Sequence, residues 1–307
     1  MTIVLCPGQG AQKVGMGRDL AERFPVAAET FAAVDQALGL PLSRIMWEGP
    51  EDELTLTHNA QPAILAHSAA VLAVAGERLG PVVLAAGHSL GEYTAYIAAG
   101  SLTVAEAARL VRRRGELMLK AGAERPGAMS AVLGLDTESV AEACAEASGA
   151  DGVAVPANLN APDQTVISGD PAAVAAAGER CKAAGARRVV PLKVSGAFHS
   201  PLMAPAVPGL RAALDAAEFG EPAFPVIANA TAAPVGTADE ARALLVDQLT
   251  APVKWVECMR TAVRLHPDAR FVEAGPGNVL SGLLKRIVPG ATALPLGTAA
   301  DLEGFPA

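Results

Sequence analysis

Gly87-His88-Ser89-Leu90-Gly91 follows an apolar run at residues 81–86 and leads into a helical pattern, and no other stretch of the 307 residues constrains the fold as tightly. A strand that becomes a helix within a few residues presses the positions beside the turn against neighbouring backbone, so the sites flanking the serine must lack a Cβ. This is the pattern of a nucleophile elbow. It predicts Ser89 at the top of a sheet, with its Oγ at the N-terminus of the next helix, where unpaired N–H groups and the helix dipole favour negative charge. The plain structural alternative is an N-cap serine between two turn glycines, and the strand before and helix after weigh against it.

The chain is long enough to bury a large core in one domain or two. It is 51% hydrophobic but only 4% aromatic, which describes alanine-rich helices packed closely on a sheet. No apolar run is long enough to span a bilayer. The most apolar helix candidate, 63–75, is interrupted by His67 and Ser68, and residues 1–10 lack a charged n-region before turning into a glycine loop. The expected location is therefore the cytoplasm, without membrane association. Cys6, Cys144, Cys181 and Cys258 are scattered with neither a CxxC pair nor a partner histidine, so they read as reduced packing residues, and no metal chemistry is expected. A net charge of −8 argues against general nucleic-acid binding but leaves room for a local basic patch facing an acidic partner.

Residues 2–6 read as a buried strand that Pro7-Gly8-Gln9-Gly10 turns sharply into a helical region, the start of an α/β fold. Helices are expected at 27–38, 62–79, 90–99 and 104–120, with a strand at 82–85 feeding the elbow. After Gly122 the pattern becomes β-α-β-β-α-β, with strands at 129–135, 153–158, 164–168 and 188–194 and helices at 137–148 and 171–184. That order is the ferredoxin-like unit, here as a small inserted subdomain at 126–195. The large domain, 1–125 and 196–307, is then discontinuous and carries a parallel sheet. Its second part is expected to hold helices at 201–216, 238–248, 256–265 and 279–287, strands at 226–229 and 270–273, and a loosely held tail after Leu296. Gly275-Pro276-Gly277 reads as a strand-to-helix connection. The absence of coiled-coil heptads leaves a monomer as the default.

A serine hydroxyl needs a base within hydrogen-bond reach. Of the five histidines, His88 adjoins the elbow serine and points away from it, whereas His58, His67 and His266 have no other chemical residues near them in sequence. His199 lies in Ser195-Gly196-Ala197-Phe198-His199-Ser200, where the chain re-enters the large domain and a cleft between domains opens. On the residues alone, its role stays open between a base and an ordinary histidine.

With these residues in view, the chain resembles the malonyl-CoA:acyl carrier protein transacylases, including the acyltransferase domains of fatty acid and polyketide synthases, over almost its full length. The likeness rests on Pro7-Gly8-Gln9-Gly10-Ala11-Gln12, Gln61-Pro62-Ala63, the elbow with Glu92-Tyr93, Arg114-Gly115, Gly127-Ala128-Met129, Asn158-Leu159-Asn160-Ala161-Pro162, Gly196 to Ser200, Pro252-Val253-Lys254-Trp255 and Glu273-Ala274-Gly275-Pro276-Gly277. It implies an α/β-hydrolase-like large domain, Ser89 as nucleophile and His199 as its base. The histidine is then oriented by the main-chain carbonyl of Gln248, the N–H groups of Gln9 and Leu90 form the oxyanion hole, and Gln61 and Asn160 give support.

The same resemblance assigns Arg114 to the free carboxylate of a malonyl group, which a planar guanidinium fork meets with two hydrogen bonds. Arg112 and Arg113 read as a solvated helix face. An acetyl group would leave Arg114 buried without a partner, and Phe198 leaves little room for an α-methyl branch, so malonyl is favoured over acetyl and methylmalonyl. The implied reaction is ping-pong transfer from malonyl-CoA through an O-malonyl serine to the phosphopantetheine thiol of an acyl carrier protein, with no cofactor beyond the substrates. Arg180, Lys182, Arg187, Arg188, Lys193, Lys285 and Arg286 are the basic candidates for meeting an acidic carrier.

Gly8-Gln9-Gly10 fails as a dinucleotide loop, because Lys13 stands where the third glycine belongs. The enzymatic rival is a serine esterase or thioesterase with Asp163 or Asp170 completing a triad. It lacks a His-Gly-Gly-Gly loop, and both aspartates fall in the insert. Two further rivals are a polyketide acyltransferase acting in trans on another extender unit and a carrier-docking module with a decayed site.

Overall fold

The structure, a computed structural model, describes residues 1–150 and 152–306. The chain lays down Thr2–Cys6 (β1) and Val82–Gly87 (β2), then Ala128–Leu133 (β3), Ala154–Ala161 (β4), Gln164–Gly169 (β5) and Arg188–Pro191 (β6). Val226–Ile227 (β7), Pro234–Val235 (β8), Arg270–Ala274 (β9) and Ala293–Leu296 (β10) follow. Two sheets result, one ordered β10-β9-β1-β2-β7-β8 and one ordered β4-β5-β3-β6. The first is parallel except for β8, which pairs antiparallel with β7 at the edge. The second is antiparallel throughout, with the strand order that the ferredoxin-like pattern predicts.

β1 is apolar in every residue but Thr2 because both faces of its sheet are covered. Ile3 and Leu5 join one buried cluster with Leu84, Ala86 and Phe271, while Val4 and Cys6 join the other with Ala85, Val272 and Ala274. The small sheet does the same on a smaller scale. Val132 and Ile167 face the helices Thr137–Ala147 and Pro171–Ala183, whereas Met129 and Val166 face the main core. All four cysteines are buried and unpaired. No helix among the described residues is long and apolar enough to cross a membrane.

Several expectations need correction. The helix expected to begin at Pro62 begins at Thr57 and runs to Ala75 with Pro62 inside it. A proline there leaves the carbonyl four residues earlier without its helical donor. That carbonyl, on His58, accepts from Arg112 Nη1 at 3.0 Å. Arg112 also binds Glu116 and the Asn59 side chain, so it is a structural residue and not a solvated one. Two short helices, Leu42–Glu48 and Glu51–Thr55, and the strands β8 and β10 were not anticipated. The tail after Leu296 forms the helix Ala299–Gly304 with a capping box at Thr298, and it buries Leu302 and Phe305. Arg78 Nη1 donates to the carbonyls of both Leu302 and Phe305, which holds this segment down.

The parallel arrangement places the C-terminal ends of β1, β2, β7 and β9 along one edge, where α/β folds bind their ligands. Cys6 pairs with Gly87, so the chain leaves β1 and β2 at the same level. The His88 N–H then donates to the Cys6 carbonyl at 2.9 Å. The Pro7-Gly8-Gln9 turn and the elbow are thereby neighbours.

Candidate active site

The elbow has the geometry its glycines demand. A Cβ on Gly87 would lie 1.9 Å from the Gly91 carbonyl, and one on Gly91 would lie 2.2 Å from the Cys6 carbonyl oxygen. Ser89 itself adopts φ 52°, left-handed backbone that a non-glycine residue takes only when its surroundings compel it. Asn229, two residues beyond β7, supplies that compulsion: its Oδ1 accepts from the Ser89 N–H at 2.7 Å and its Nδ2 donates to the Gly87 carbonyl at 2.7 Å. The helix Gly91–Ala98 starts two residues after Ser89.

His199 reaches this point from the other side of the cleft. Its Nε2 lies 2.8 Å from Ser89 Oγ and its Nδ1 lies 2.8 Å from the Gln248 carbonyl oxygen. A carbonyl can only accept, so Nδ1 carries the proton and Nε2 is free to take one from Ser89. His199 too has a positive φ, 55°, which the sequence did not foretell. Burial and the positive charge of Arg114 push its pKa down to about 3, so the ring is neutral near pH 7.

Arg114 projects from the long helix Val104–Glu124, which Thr103 caps by accepting from the Glu106 N–H. Gly115 lets that helix lie against Thr57–Ala75, since a Cβ there would come within 2.6 Å of the His58 Cα. The close crossing sets Arg114 beside Gln61, whose Oε1 accepts from Nη1 at 2.8 Å. Nη2 donates to Gln248 Oε1 at 2.9 Å and to Ser89 Oγ at 3.1 Å. The guanidinium is 1% exposed and has no carboxylate within ion-pair distance among the described residues. It is a buried cation poised beside a hydroxyl, an arrangement that suits an anionic group arriving from outside.

Ser89, His199 and Arg114 line a cavity of about 300 Å³ together with Gln9, Phe198 and the apolar side chains Met118, Met129 and Leu192. A wider cavity of about 810 Å³ adjoins it through Gln9, Thr55, Lys193 and Val194. Among the described residues, neither the Gln9 nor the Leu90 N–H has a hydrogen-bond partner, so both remain available to an oxyanion. Asn160 does not line the cavity. Its Oδ1 accepts from His88 Nε2 at 2.8 Å and so holds that ring, while Asn158, two residues earlier on the same strand, contributes to the wall.

The triad alternative finds no support. Asp163 pairs with Arg187 and Arg286 at the surface, and Asp170 is held by Arg125, so neither is bonded to His199. Of the basic candidates for a carrier, Arg180, Lys182, Arg187 and Arg286 are engaged in ion pairs. Lys193 stands at the cavity mouth, and Arg188 and Lys285 have no ion-pair partner among the described residues. No group of three or more His, Cys, Asp or Glu is placed to hold a metal ion among the described residues.

Sequence reasoning missed Asn229 and gave Glu92 no role, although both are fully buried behind the site. Glu92 Oε2 accepts from the Asn229 N–H at 2.9 Å and from Gln248 Nε2 at 2.7 Å. Burial lifts its carboxyl to about 7, against those hydrogen bonds and the Arg114 charge. The signal was a charged residue on an otherwise apolar helix, one turn past the serine.

Comparison with known proteins agrees with this geometry. The family model described as "Acyl transferase domain" matches residues 3–293. The malonyl CoA-acyl carrier protein transacylase of Bacillus subtilis strain 168 is 42% identical over 283 residues, 92% of this chain and 89% of its own length. That of Escherichia coli K12 is 44% identical over 289 residues, covering 94% and 93%. Among solved structures, a malonyl-transacylase in complex with a holo type II polyketide acyl carrier protein superposes with TM-score 0.94 at 43% identity, covering 98% of this chain and 97% of its own. The malonyl-CoA:acyl carrier protein transacylase of Xanthomonas oryzae also gives TM-score 0.94, at 42% identity over 100% and 98%. The chain belongs to the acyl transferase family, among the malonyl-CoA:acyl carrier protein transacylases.

Proposed function

We propose that the protein moves a malonyl group from malonyl-CoA to the phosphopantetheine thiol of an acyl carrier protein of fatty acid or polyketide synthesis, through an ester on Ser89. The observation that carries this reading is that Ser89 Oγ meets His199 Nε2 at 2.8 Å and Arg114 Nη2 at 3.1 Å within one cavity. The first contact suits acyl transfer, and the second suits an acyl chain that ends in a carboxylate. The names of the relatives and the carrier complex of the polyketide enzyme support the same substrates.

In this reading the malonyl carboxylate displaces Ser89 Oγ from Arg114 and takes both guanidinium donors on that side. His199 Nε2 accepts the Ser89 proton as Oγ attacks the thioester carbonyl, and the oxyanion is met by the Gln9 and Leu90 N–H groups. Collapse breaks the C–S bond, and the CoA thiolate leaves with the proton from His199. The carrier thiol then gives its proton to the same nitrogen, attacks the serine ester and restores Ser89 Oγ–H. No metal or redox cofactor enters these steps.

Arg188, Lys193 and Lys285 are the proposed contacts for an acidic carrier, since they are exposed cations without an ion-pair partner among the described residues. A monomer in the cytoplasm completes the proposal, and four buried unpaired cysteines fit a reducing compartment.

Intact-mass spectrometry after mixing with malonyl-CoA is expected to give one malonyl adduct that maps to Ser89 and moves to an added phosphopantetheinylated carrier. Release of free malonate without malonyl carrier would overturn the transfer reading in favour of a thioesterase.

A further inference from the structure

Glu92 is a fully buried carboxyl group with no cation within ion-pair distance among the described residues. Nothing in the acyl-transfer steps above uses it. Yet it lies directly behind the two groups that those steps depend on. Its Oε2 accepts from Gln248 Nε2 at 2.7 Å, and the Oε1 of the same glutamine amide accepts from Arg114 Nη2 at 2.9 Å.

A primary amide has two unlike ends. Rotated by half a turn, the Gln248 side chain would point its NH2 at the guanidinium, donor against donor, and its carbonyl at the Glu92 oxygen, acceptor against acceptor. In a dry interior each mismatch leaves a buried polar group without a partner. Glu92 is the acceptor that selects the observed orientation, together with the Ser89 carbonyl, which accepts from the same Nε2 at 3.1 Å. The other amino group of the arginine is fixed independently by Gln61.

We propose that Glu92 is a positioning residue for substrate selection: by accepting from Gln248 it holds that amide's carbonyl on Arg114 and so aims the guanidinium at the free carboxylate of the acyl group. The inference rests on the reading that Arg114 meets this carboxylate. Glu92 also accepts from the Asn229 N–H, and the Asn229 side chain clamps the elbow at Ser89 and Gly87. The carboxyl group therefore ties the orientation of the arginine to that of the serine. Its Oε1 has no hydrogen-bond partner among the described residues. When the group is protonated the hydrogen belongs there, and Oε2 stays an acceptor in both states.

The test compares kcat/KM for malonyl-CoA and acetyl-CoA with one carrier acceptor, expressed as a ratio that does not depend on the fraction of folded enzyme. Glu92→Leu is expected to lower the malonyl-to-acetyl ratio by about tenfold or more, chiefly through the KM of malonyl-CoA. Glu92→Gln keeps an acceptor at the same place and is expected to retain the ratio to within about threefold. A folded Glu92→Leu enzyme with the wild-type ratio would overturn the proposal, as would a Glu92→Gln enzyme that falls equally far. Should Glu92→Leu fail to fold, Gln248→Leu decides: it removes the bridge, and a wild-type ratio there overturns the proposal. Arg114→Ala separates the two levels. An unchanged ratio in that variant refutes the role of the arginine itself, whereas a collapsed ratio beside an unchanged Glu92→Leu refutes only the role of Glu92.

Discussion

Arg114 Nη2 and His199 Nε2 approach the same atom, Ser89 Oγ, at 3.1 and 2.8 Å, and they ask different things of it. The guanidinium can only donate, so it takes a lone pair, and the hydroxyl proton is left for the neutral imidazole. The arginine thus occupies the serine hydroxyl. A carboxylate competes well for that donor, because a charge-assisted bidentate pair outweighs a single bond to a hydroxyl. Arg114→Ala is expected to lower kcat/KM for malonyl-CoA by about a hundredfold, the equivalent of about 3 kcal/mol, while acetyl-CoA loses nothing or gains. Equal losses on the two substrates in steady-state assays would contradict the assignment.

The pH dependence carries a second expectation. His199 must be neutral to accept the serine proton, and burial together with the Arg114 charge holds its pKa at about 3. Activity is therefore expected to persist well below the ordinary histidine range. Removing a nearby positive charge makes the imidazolium easier to form, so the acid limb of kcat/KM for acetyl-CoA is expected to move to higher pH in Arg114→Ala. The limb stays below 6.5, because burial remains. Coincident acid limbs in the two enzymes would show that the arginine does not act on the histidine.

Ser89 was legible because the elbow forces glycine at 87 and 91. His199, at the junction between the small sheet and the second part of the large one, stayed open on the residues alone, and Arg114, in a run of three arginines on one helix, was singled out only by the family resemblance. The groups that hold them are less visible. Asn229 follows a strand of only two residues, too short for periodicity to register, and its partner Ser89 is 140 residues away. Glu92 looks like an ordinary solvated first-turn acid until the packing of β7 against its helix buries it. Pro62 signalled a helix start because the donor that answers the freed His58 carbonyl comes from another helix. The C-terminal segment read as loose for the same reason: Arg78 and the cluster that receives Leu302 are distant in sequence.

Two glycine-to-alanine changes, both in helices, should behave in opposite ways. Gly91→Ala places a Cβ 2.2 Å from the Cys6 carbonyl oxygen and 2.8 Å from that of Pro7, and backbone on both sides cannot yield. The expected cost is about 3 kcal/mol or more, or failure to fold. Gly282, within Val279–Ile287, has no atom within 4 Å of the added Cβ, and alanine there is expected to stabilise by about 0.5–1 kcal/mol. Urea denaturation of both variants provides the comparison, and a Gly91→Ala protein as stable as wild type would remove the steric argument for the elbow.

His67 should make the fold sensitive to mild acid. It is 2% exposed on the helix Thr57–Ala75, with Nε2 2.9 Å from the Gly297 carbonyl oxygen and, among the described residues, no partner for Nδ1. Burial pushes its pKa down to about 4, while in the unfolded chain it returns to about 6.5. Between those values the unfolded state binds the proton and the native state does not, so stability falls as pH falls. From pH 7.5 to 5.5 this one residue is expected to remove about 1 kcal/mol. Other groups contribute to the total, with Glu92 acting in the opposite sense because its carboxyl is raised in the folded protein. They cancel when two proteins differing only at residue 67 are compared. His67→Gln does not titrate, so its loss of unfolding free energy over that interval is expected to be smaller than that of wild type by about 1 kcal/mol. Identical losses in parallel urea titrations would mean that His67 is as easily protonated in the folded protein as in the unfolded chain.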